Sequence, residues 1–390
     1  MIKRNIEDLW HIDARRNFRI YKVAAQIMGV WPFTCQEKFS KIRFFSLIII
    51  LISMAAMLAH DMLSNCGNID TTLESIVFVL SALLGIVKIT LPRIYWRNIE
   101  SIIVSAAYDW STTINPKSRK IMEKTSLIGT AAFILLLGGS LFISVLFVLH
   151  KVMLNFRMSS RNLTTQYVVF GAGCWRSNLP ISINSIYAVQ TIQLGTMQLC
   201  VSGNDACYYQ IISYLSGQLD ILNLNVEELS HSYDRKTSPI DEFIRRHNCL
   251  LRLCWHVEDT YNFVVMCHLM NNLCFTMMIV LTTWNENKGL GYLVIFGSIT
   301  IFLYGQIFLY SLGGDVIKTK TESLFHYIYS CPWYQLPTSE RRKVLLILTK
   351  TNYPIHFTAG NFYRLNLENF KNIVKFTVTL FSFLRLSLQE

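Results

Sequence analysis

Seven apolar stretches, each long enough to cross a lipid bilayer, decide what this chain can fold into. A helix rises about 1.5 Å per residue, so roughly 20 residues cover about 30 Å of hydrocarbon. The stretches are 44–60, 73–91, 125–149, 181–201, 264–283, 290–312 and 367–388. With no water to pair their backbone groups, such segments must close their hydrogen bonds internally, which predicts helices. Only 16% of the 390 residues are charged, against about 25% in a soluble domain, so much of the chain is shielded from water. The fourth and seventh stretches are the more polar ones.

Lysine and arginine counts orient the bundle. The segment up to Arg43 holds nine, 93–124 six, 206–260 five and 313–363 six. On the alternate side 61–72 holds none, 150–180 four, and the turn after Trp284 only Lys288. The expected fold is an all-α membrane protein with seven transmembrane helices, a cytoplasmic N-terminus and an extracellular C-terminus. The formal charge of +11 then reads as a topology signal at the inner leaflet rather than a nucleic-acid footprint. The sequon Asn162-Leu163-Thr164 falls in the long outer loop, where Asn162 could be glycosylated. No apolar leader precedes the first span, which is expected to act as its own insertion signal. The ten cysteines show no CxxC spacing, and no metal or cofactor is expected. Cys66 and Cys174 both fall outside, where a disulfide could form; the sequence leaves that pairing open.

The expected organisation is a cytoplasmic N-terminal segment 1–43, then spans one to four across 44–205 with a long outer loop at 150–180. Cytoplasmic anchor helices follow at 206–263, spans five and six at 264–312, an anchor segment at 313–363 and the last span at 364–390. The anchor reading rests on apolar residues at helical spacing: Leu215, Leu219, Leu222, Val226 and Leu229, then Phe243, Leu250, Leu253 and Val257.

The last span carries a polar row. Asn372, Lys375, Thr379 and Ser382 recur at spacings of three and four, with Leu386 continuing the row, so they share one helix face. Polar groups in a bilayer face water or protein. One reading is a water-filled path shared among several subunits; the other is packing against neighbouring helices within one chain.

Just before that span, residues 357–370 read FTAGNFYRLNLENF. This run resembles the signature of insect odorant receptors, a-G-x-F-(F/Y)-x-(L/V)-(S/N)-L-(D/E)-x-F, which leads into the pore helix. Residues 379–384, TLFSFL, stand where that family has S-Y-F-x-x-L, departing at Thr379 and Leu380. The resemblance implies an odorant-specific subunit of a ligand-gated, nonselective cation channel, partnered with the odorant receptor co-receptor in a heterotetramer in the sensory neuron membrane. It implies that Thr379, Phe383 and Leu386 face the pore, with Phe383 at the narrow gate; the expected constriction is then Phe383 and Leu386, with Thr379 and Asn372 further in and Lys375, from the polar row, on the same path. It also implies a pocket for a small volatile odorant among spans two, three, four and six. Here those walls offer Val77, Phe78 and Ser81; Leu137, Ser140, Leu141 and Ser144; Tyr187, Gln190, Thr191 and Leu194; and Tyr292 and Phe296. Apolar and aromatic walls with a few hydroxyls suit a volatile ligand. Trp175 in the outer loop is a candidate lid.

Two other seven-helix classes compete with this reading. A G-protein-coupled receptor conflicts with the charge-derived orientation and lacks D-R-Y-type and N-P-x-x-Y-type runs. A gustatory receptor shares the topology, but its T-Y-x-x-x-x-x-Q-F tail has no counterpart in residues 377–383. No titratable constellation suggests an enzyme: His60 and Asp61 are adjacent but sit at a span end.

Overall fold

The computed structural model describes residues 12–64, 68–159, 168–173, 182–229, 239–284 and 290–387. Asn162, Cys66, Cys174 and Trp175 lie outside these residues, as do the side chains of Leu229, Tyr292 and Leu386. Two short helices, α1 (Ile12–Asn17) and α2 (Arg19–Ile27), precede α3 (Lys38–Leu63), α4 (Ile69–Ile94), α5 (Trp96–Thr112), α6 (Pro116–Ser159), α7 (Ile183–Leu229), α8 (Pro239–Trp284) and α9 (Leu290–Ser330). Then come α10 (Thr338–Thr351), a hairpin of β1 (Thr358–Ala359) and β2 (Tyr363–Arg364), and α11 (Leu367–Ser387).

The fold is an all-α membrane protein of seven spans, formed by α3, α4, α6, α7, α8, α9 and α11. Five of them, α3, α4, α6, α8 and α9, are long and apolar enough to cross a membrane by length and composition alone. The other two are α7 and α11, whose sequences are more polar. Four helices are far longer than a bilayer needs: α6, α7, α8 and α9 run 44, 47, 46 and 41 residues, about 60–70 Å at 1.5 Å per residue. Their starts follow local chemistry. Pro116 and Pro239 open α6 and α8, where a missing N–H costs nothing. Asp241 and Glu242 then sit at the positive end of the α8 dipole.

The C-terminal part of α7 and the N-terminal part of α8 pack on one another. Leu215, Leu219, Leu222 and Val226 of α7 meet Phe243, Leu250, Leu253 and Val257 of α8 in one continuous buried cluster. Asp109 of α5 is buried there, accepting from the Tyr214 hydroxyl and the Arg246 guanidinium, each at 2.5 Å. Arg93, at the end of α4, binds the carbonyls of Gly29 and Cys35 and lies 4.5 Å from the Phe44 ring centroid. That clamp ties the turn after α2 to the bundle.

The signature run forms the hairpin, which is bolted to α8. Glu258 accepts from the Thr358 backbone N–H at 3.1 Å and from the Thr358 hydroxyl. The Asn262 amide nitrogen donates to Thr358 Oγ1 at 2.5 Å and Asn361 Oδ1 at 2.9 Å. Gly360 adopts φ +65°, and a Cβ there would stand 2.5 Å from Met266 Sδ; glycine is required both for conformation and for close approach. Asn366 then caps α11, its Oδ1 accepting from the Asn369 N–H at 2.7 Å.

His247 is buried in α8, its ring stacked on Phe243 with centroids 6.3 Å apart. Burial, reinforced by the Lys350 charge, pulls its pKa down to about 4. The unfolded chain, titrating near 6.5, binds the extra proton first as pH falls. His247 therefore favours the folded state above pH 6.5 and loses that contribution between about pH 6.5 and 4. Thermal unfolding of the detergent-solubilised protein should show about 2 kcal/mol of stability lost from pH 7 to pH 5 through this residue. His247→Gln should flatten the profile by that amount; an unchanged profile would contradict the assignment.

Candidate functional site

A cavity of about 80 Å³ lies inside the bundle among α4, α6, α7, α8 and α9. One water needs about 10–15 Å³ on this scale, so it holds roughly five to eight waters. That is compact for a small-molecule site. Its walls are mainly aromatic and aliphatic, including Phe78, Phe147, Phe275, Phe302, Ile299 and Leu303.

Of the residues singled out in the sequence, Phe78, Ser81, Ser140, Ser144 and Leu194 come together on this cavity. The others lie around it. Phe296 is buried behind the wall, 6.4 Å from the Phe147 ring. Val77 faces a separate small cluster with Phe275 and Met278. Leu137 packs against the main core, while Leu141 and Thr191 are exposed on the bundle surface. The Tyr187 hydroxyl accepts from Asn155 at 2.5 Å, away from the cavity.

Gln190 has a different role. Its Oε1 accepts from the Val169 N–H at 2.8 Å and its Nε2 donates to the Phe170 carbonyl at 3.1 Å. Asp61, beside exposed His60, accepts from the N–H groups of Ala172 and Gly173 at 3.1 and 2.8 Å. Together they pin residues 168–173 onto the bundle. Gly171 sits at φ +78°, where a Cβ would meet Leu58 and Asp61 within 2.9 Å. The pinned loop buries Phe170 completely, with its ring centroid 5.3 Å from that of the cavity residue Phe78. Phe147 adds a third ring 5.8 Å from Phe78.

The opposite end of the cavity is polar. His268, Asn271, Asn272 and Phe275 line it from α8, at spacings that put them on one face. A pocket among spans two, three, four and six leaves this helix no part. The signal was present, because polar residues at i, i+3 and i+4 inside an apolar span mark a functional face. Ser202 and Gln306 complete the floor, joined by Gln306 Nε2 donating to Ser202 Oγ at 3.1 Å. One helical turn further towards the basic side, Lys88 is fully buried and paired with Asp205. Lys88 Nζ also lies 3.1 Å from His268 Nδ1, and Tyr310 donates to Asp205 Oδ1 at 2.5 Å. Four helices thus converge on one buried ion pair directly beneath the cavity.

The face of α11 is equally defined. Phe370, Ile373, Val374, Thr377 and Leu380 are partly buried on the side towards the bundle. Asn372, Lys375, Phe376, Thr379, Ser382 and Phe383 are exposed on the other, Phe383 at 65%. Thr379 and Ser382 donate to carbonyls one turn back, at 3.0 Å each, which lowers the cost of placing hydroxyls on that face.

Breaking the loop's anchor should be visible directly. Gln190→Leu leaves a buried N–H and a buried C=O without partners, a loss of about 2 kcal/mol. Hydrogen exchange in residues 168–173 should accelerate roughly 30-fold, with the helices unchanged. Equal exchange in the variant and the parent would contradict the pinned loop.

A sequence model of the 7tm odorant receptor family matches residues 68–378. The odorant receptor 10a of Drosophila melanogaster is 20% identical over 92% of each chain. The odorant receptor coreceptor of Harpegnathos saltator is 25% identical over a match covering 37% of this chain and 30% of the relative. Among solved structures, the insect olfactory receptor OR5 of Machilis hrabei in complex with eugenol superposes with a TM-score of 0.79 at 15% identity, covering 96% of this chain and 98% of that one.

Proposed function

This chain belongs to the 7tm odorant receptor family, a family of receptors rather than enzymes, and from that premise we propose that it is the ligand-specific subunit of an odorant-gated, nonselective cation channel. It assembles with the odorant receptor co-receptor as a heterotetramer in the plasma membrane of sensory neuron dendrites. A small volatile molecule binds in the cavity beneath Phe78, and α11 of each subunit lines one shared pore.

The exposed face of α11 carries this reading. A single span that presents Asn372 and Lys375 outward beside Thr379 and Ser382 cannot leave the amide and the ammonium against lipid, where each uncompensated polar group is costly. Water in a central path, with neighbouring subunits closing the sides, satisfies them. Phe383, exposed among them, narrows that path, and Leu386 follows three residues later in the sequence. A lysine in a cation path is unfavourable when repeated on every subunit. A heteromer, in which the partner contributes other faces, dilutes the Lys375 charge. The lysine and arginine distribution supports a cytoplasmic N-terminus and an end of α11 outside, with the long helix extensions forming an intracellular anchor.

Co-expression with the co-receptor should give odorant-evoked, nonselective cation current without G-protein signalling. Phe383→Ala should raise resting leak or unitary conductance about twofold or more, since removing a ring from a hydrophobic constriction favours its wetting. Responses that need a G protein and persist with ion flux blocked would overturn the channel assignment.

A further inference from the structure

Helix α2 has two apolar faces, and only one of them meets the bundle. Tyr21, Ala24 and Ala25 are buried, and just past them Met28 Sδ lies 3.5 Å from where a Cβ on Gly203 of α7 would stand. Ile20, Val23 and Ile27 recur at spacings of three and four, which makes a second row, and each is 40–49% exposed. At about 100° of turn per residue, Arg19 and Lys22 border that row on the side away from the buried face.

The depth of the helix is fixed by its end. Ser40 of α3 donates to the Gly29 carbonyl at 3.1 Å, and Arg93 of α4 binds the same carbonyl. Gly29 takes φ +70°, and a Cβ there would stand 2.7 Å from the Ser40 carbonyl oxygen. Ser40 precedes Phe44, where the first apolar stretch begins, by one turn, about 6 Å along the axis. Helix α2 therefore ends at the level where α3 leaves the hydrocarbon. At that level and just inside it α3 exposes Phe39, Ile42, Phe45 and Ile49, so the uncovered row of α2 stands beside residues that already face lipid.

Charge selects the kind of lipid. Residues 14–43 hold seven lysines and arginines against one acidic residue, Glu37. Arg15, Arg16, Arg19, Lys38, Lys41 and Arg43 are all exposed. A basic amphipathic helix lies in the membrane interface, with its apolar row at the acyl boundary and its cations at the headgroups. Resting on the cytoplasmic placement of the N-terminus proposed above, we infer that α1, α2 and the start of α3 dock on the inner leaflet and bind anionic phospholipid headgroups there. The negative surface of that leaflet complements the arginines. An acidic soluble protein would match the charge but not the row of Ile20, Val23 and Ile27 at membrane depth.

The test places the full chain, co-purified with the co-receptor, in nanodiscs of phosphatidylcholine alone or mixed with phosphatidylserine. Hydrogen exchange is followed in peptides from residues 15–27 of this chain. Phosphatidylserine should slow exchange there at least about tenfold and leave residues 290–330 unchanged. The combined variant Arg15→Gln, Arg16→Gln, Arg19→Gln should cut that difference to about twofold or less, as should Ile20→Ser with Val23→Ser. Inorganic phosphate added to phosphatidylcholine discs should have no effect, because a free anion cannot cover the apolar row. Equal exchange in the two lipids would overturn the inference, and the comparison needs no variant to fold. Protection that inorganic phosphate reproduces would overturn it too, as would protection that requires the co-receptor but not phosphatidylserine, which would assign the row to a neighbouring subunit. The readout involves neither odorant nor current, so the channel assignment and this inference fail separately. An N-terminal epitope that stains intact cells would overturn the leaflet and the inference with it.

Discussion

Lys88 and Asp205 form an ion pair that is almost completely enclosed, at 0% and 2% exposure. Removing one member of such a pair leaves a stranded charge, at about 3–5 kcal/mol, so the surrounding helices are constrained to keep both ends together. The constraint reaches well past two residues. Lys88 comes from α4, Asp205 from α7, His268 from α8, and Tyr310 and Gln306 from α9. Four spans are pinned at one depth, and the cavity opens on the turn above, where His268, Ser202 and Gln306 form its floor. The cavity lining and the buried pair therefore share side chains.

The same helix carries that arrangement to the root of α11. One turn beyond Tyr310, Gly314 faces the segment before the last span so closely that a Cβ would stand 2.3 Å from the Leu365 carbonyl oxygen. Glu258 and Asn262 fix the hairpin that precedes this point, and Asn366 caps the helix that follows. The run that resembles the odorant receptor signature is thus a mechanical joint: its glycine permits the turn, its threonine and asparagine engage α8, and its second asparagine starts α11. Cavity floor, hairpin and α11 are connected by rigid contacts over adjacent turns of α8 and α9.

Much of the fold was legible because its signals are one-dimensional. Apolar run length gave the spans, and helical spacing from Leu215 to Val257 gave the buried faces of α7 and α8. The polar row of α11 was legible from spacing alone, and Asn372, Lys375, Thr379 and Ser382 share the exposed face, while Phe383 on that face was marked by the family resemblance. The cavity was less legible, because which helix faces meet is decided by packing across the bundle. Gln190 read as a ligand contact and instead holds the outer loop. Asp61 read as a span-end residue and holds the same loop through backbone N–H groups that no motif encodes. His268 and Asn272 carried a polar signal inside an apolar span, but a pocket expected among spans two, three, four and six gave α8 no place. Lys88 and Asp205 lie 117 residues apart, and nothing local in either segment points to the other.

The central claim is that the face of α11 turned away from its own bundle is wetted by a shared ion path. Cysteine scanning of that helix tests it most directly, with the native cysteines retained as background. In co-expressed channels, a charged thiol reagent applied during odorant stimulation should alter current through Asn372→Cys, Thr379→Cys and Phe383→Cys, while leaving Ile373→Cys and Thr377→Cys like the parent. Modification of current at 373 and 377 with none at 372, 379 and 383 would contradict the account, because the pore would then lie on the opposite side of the helix.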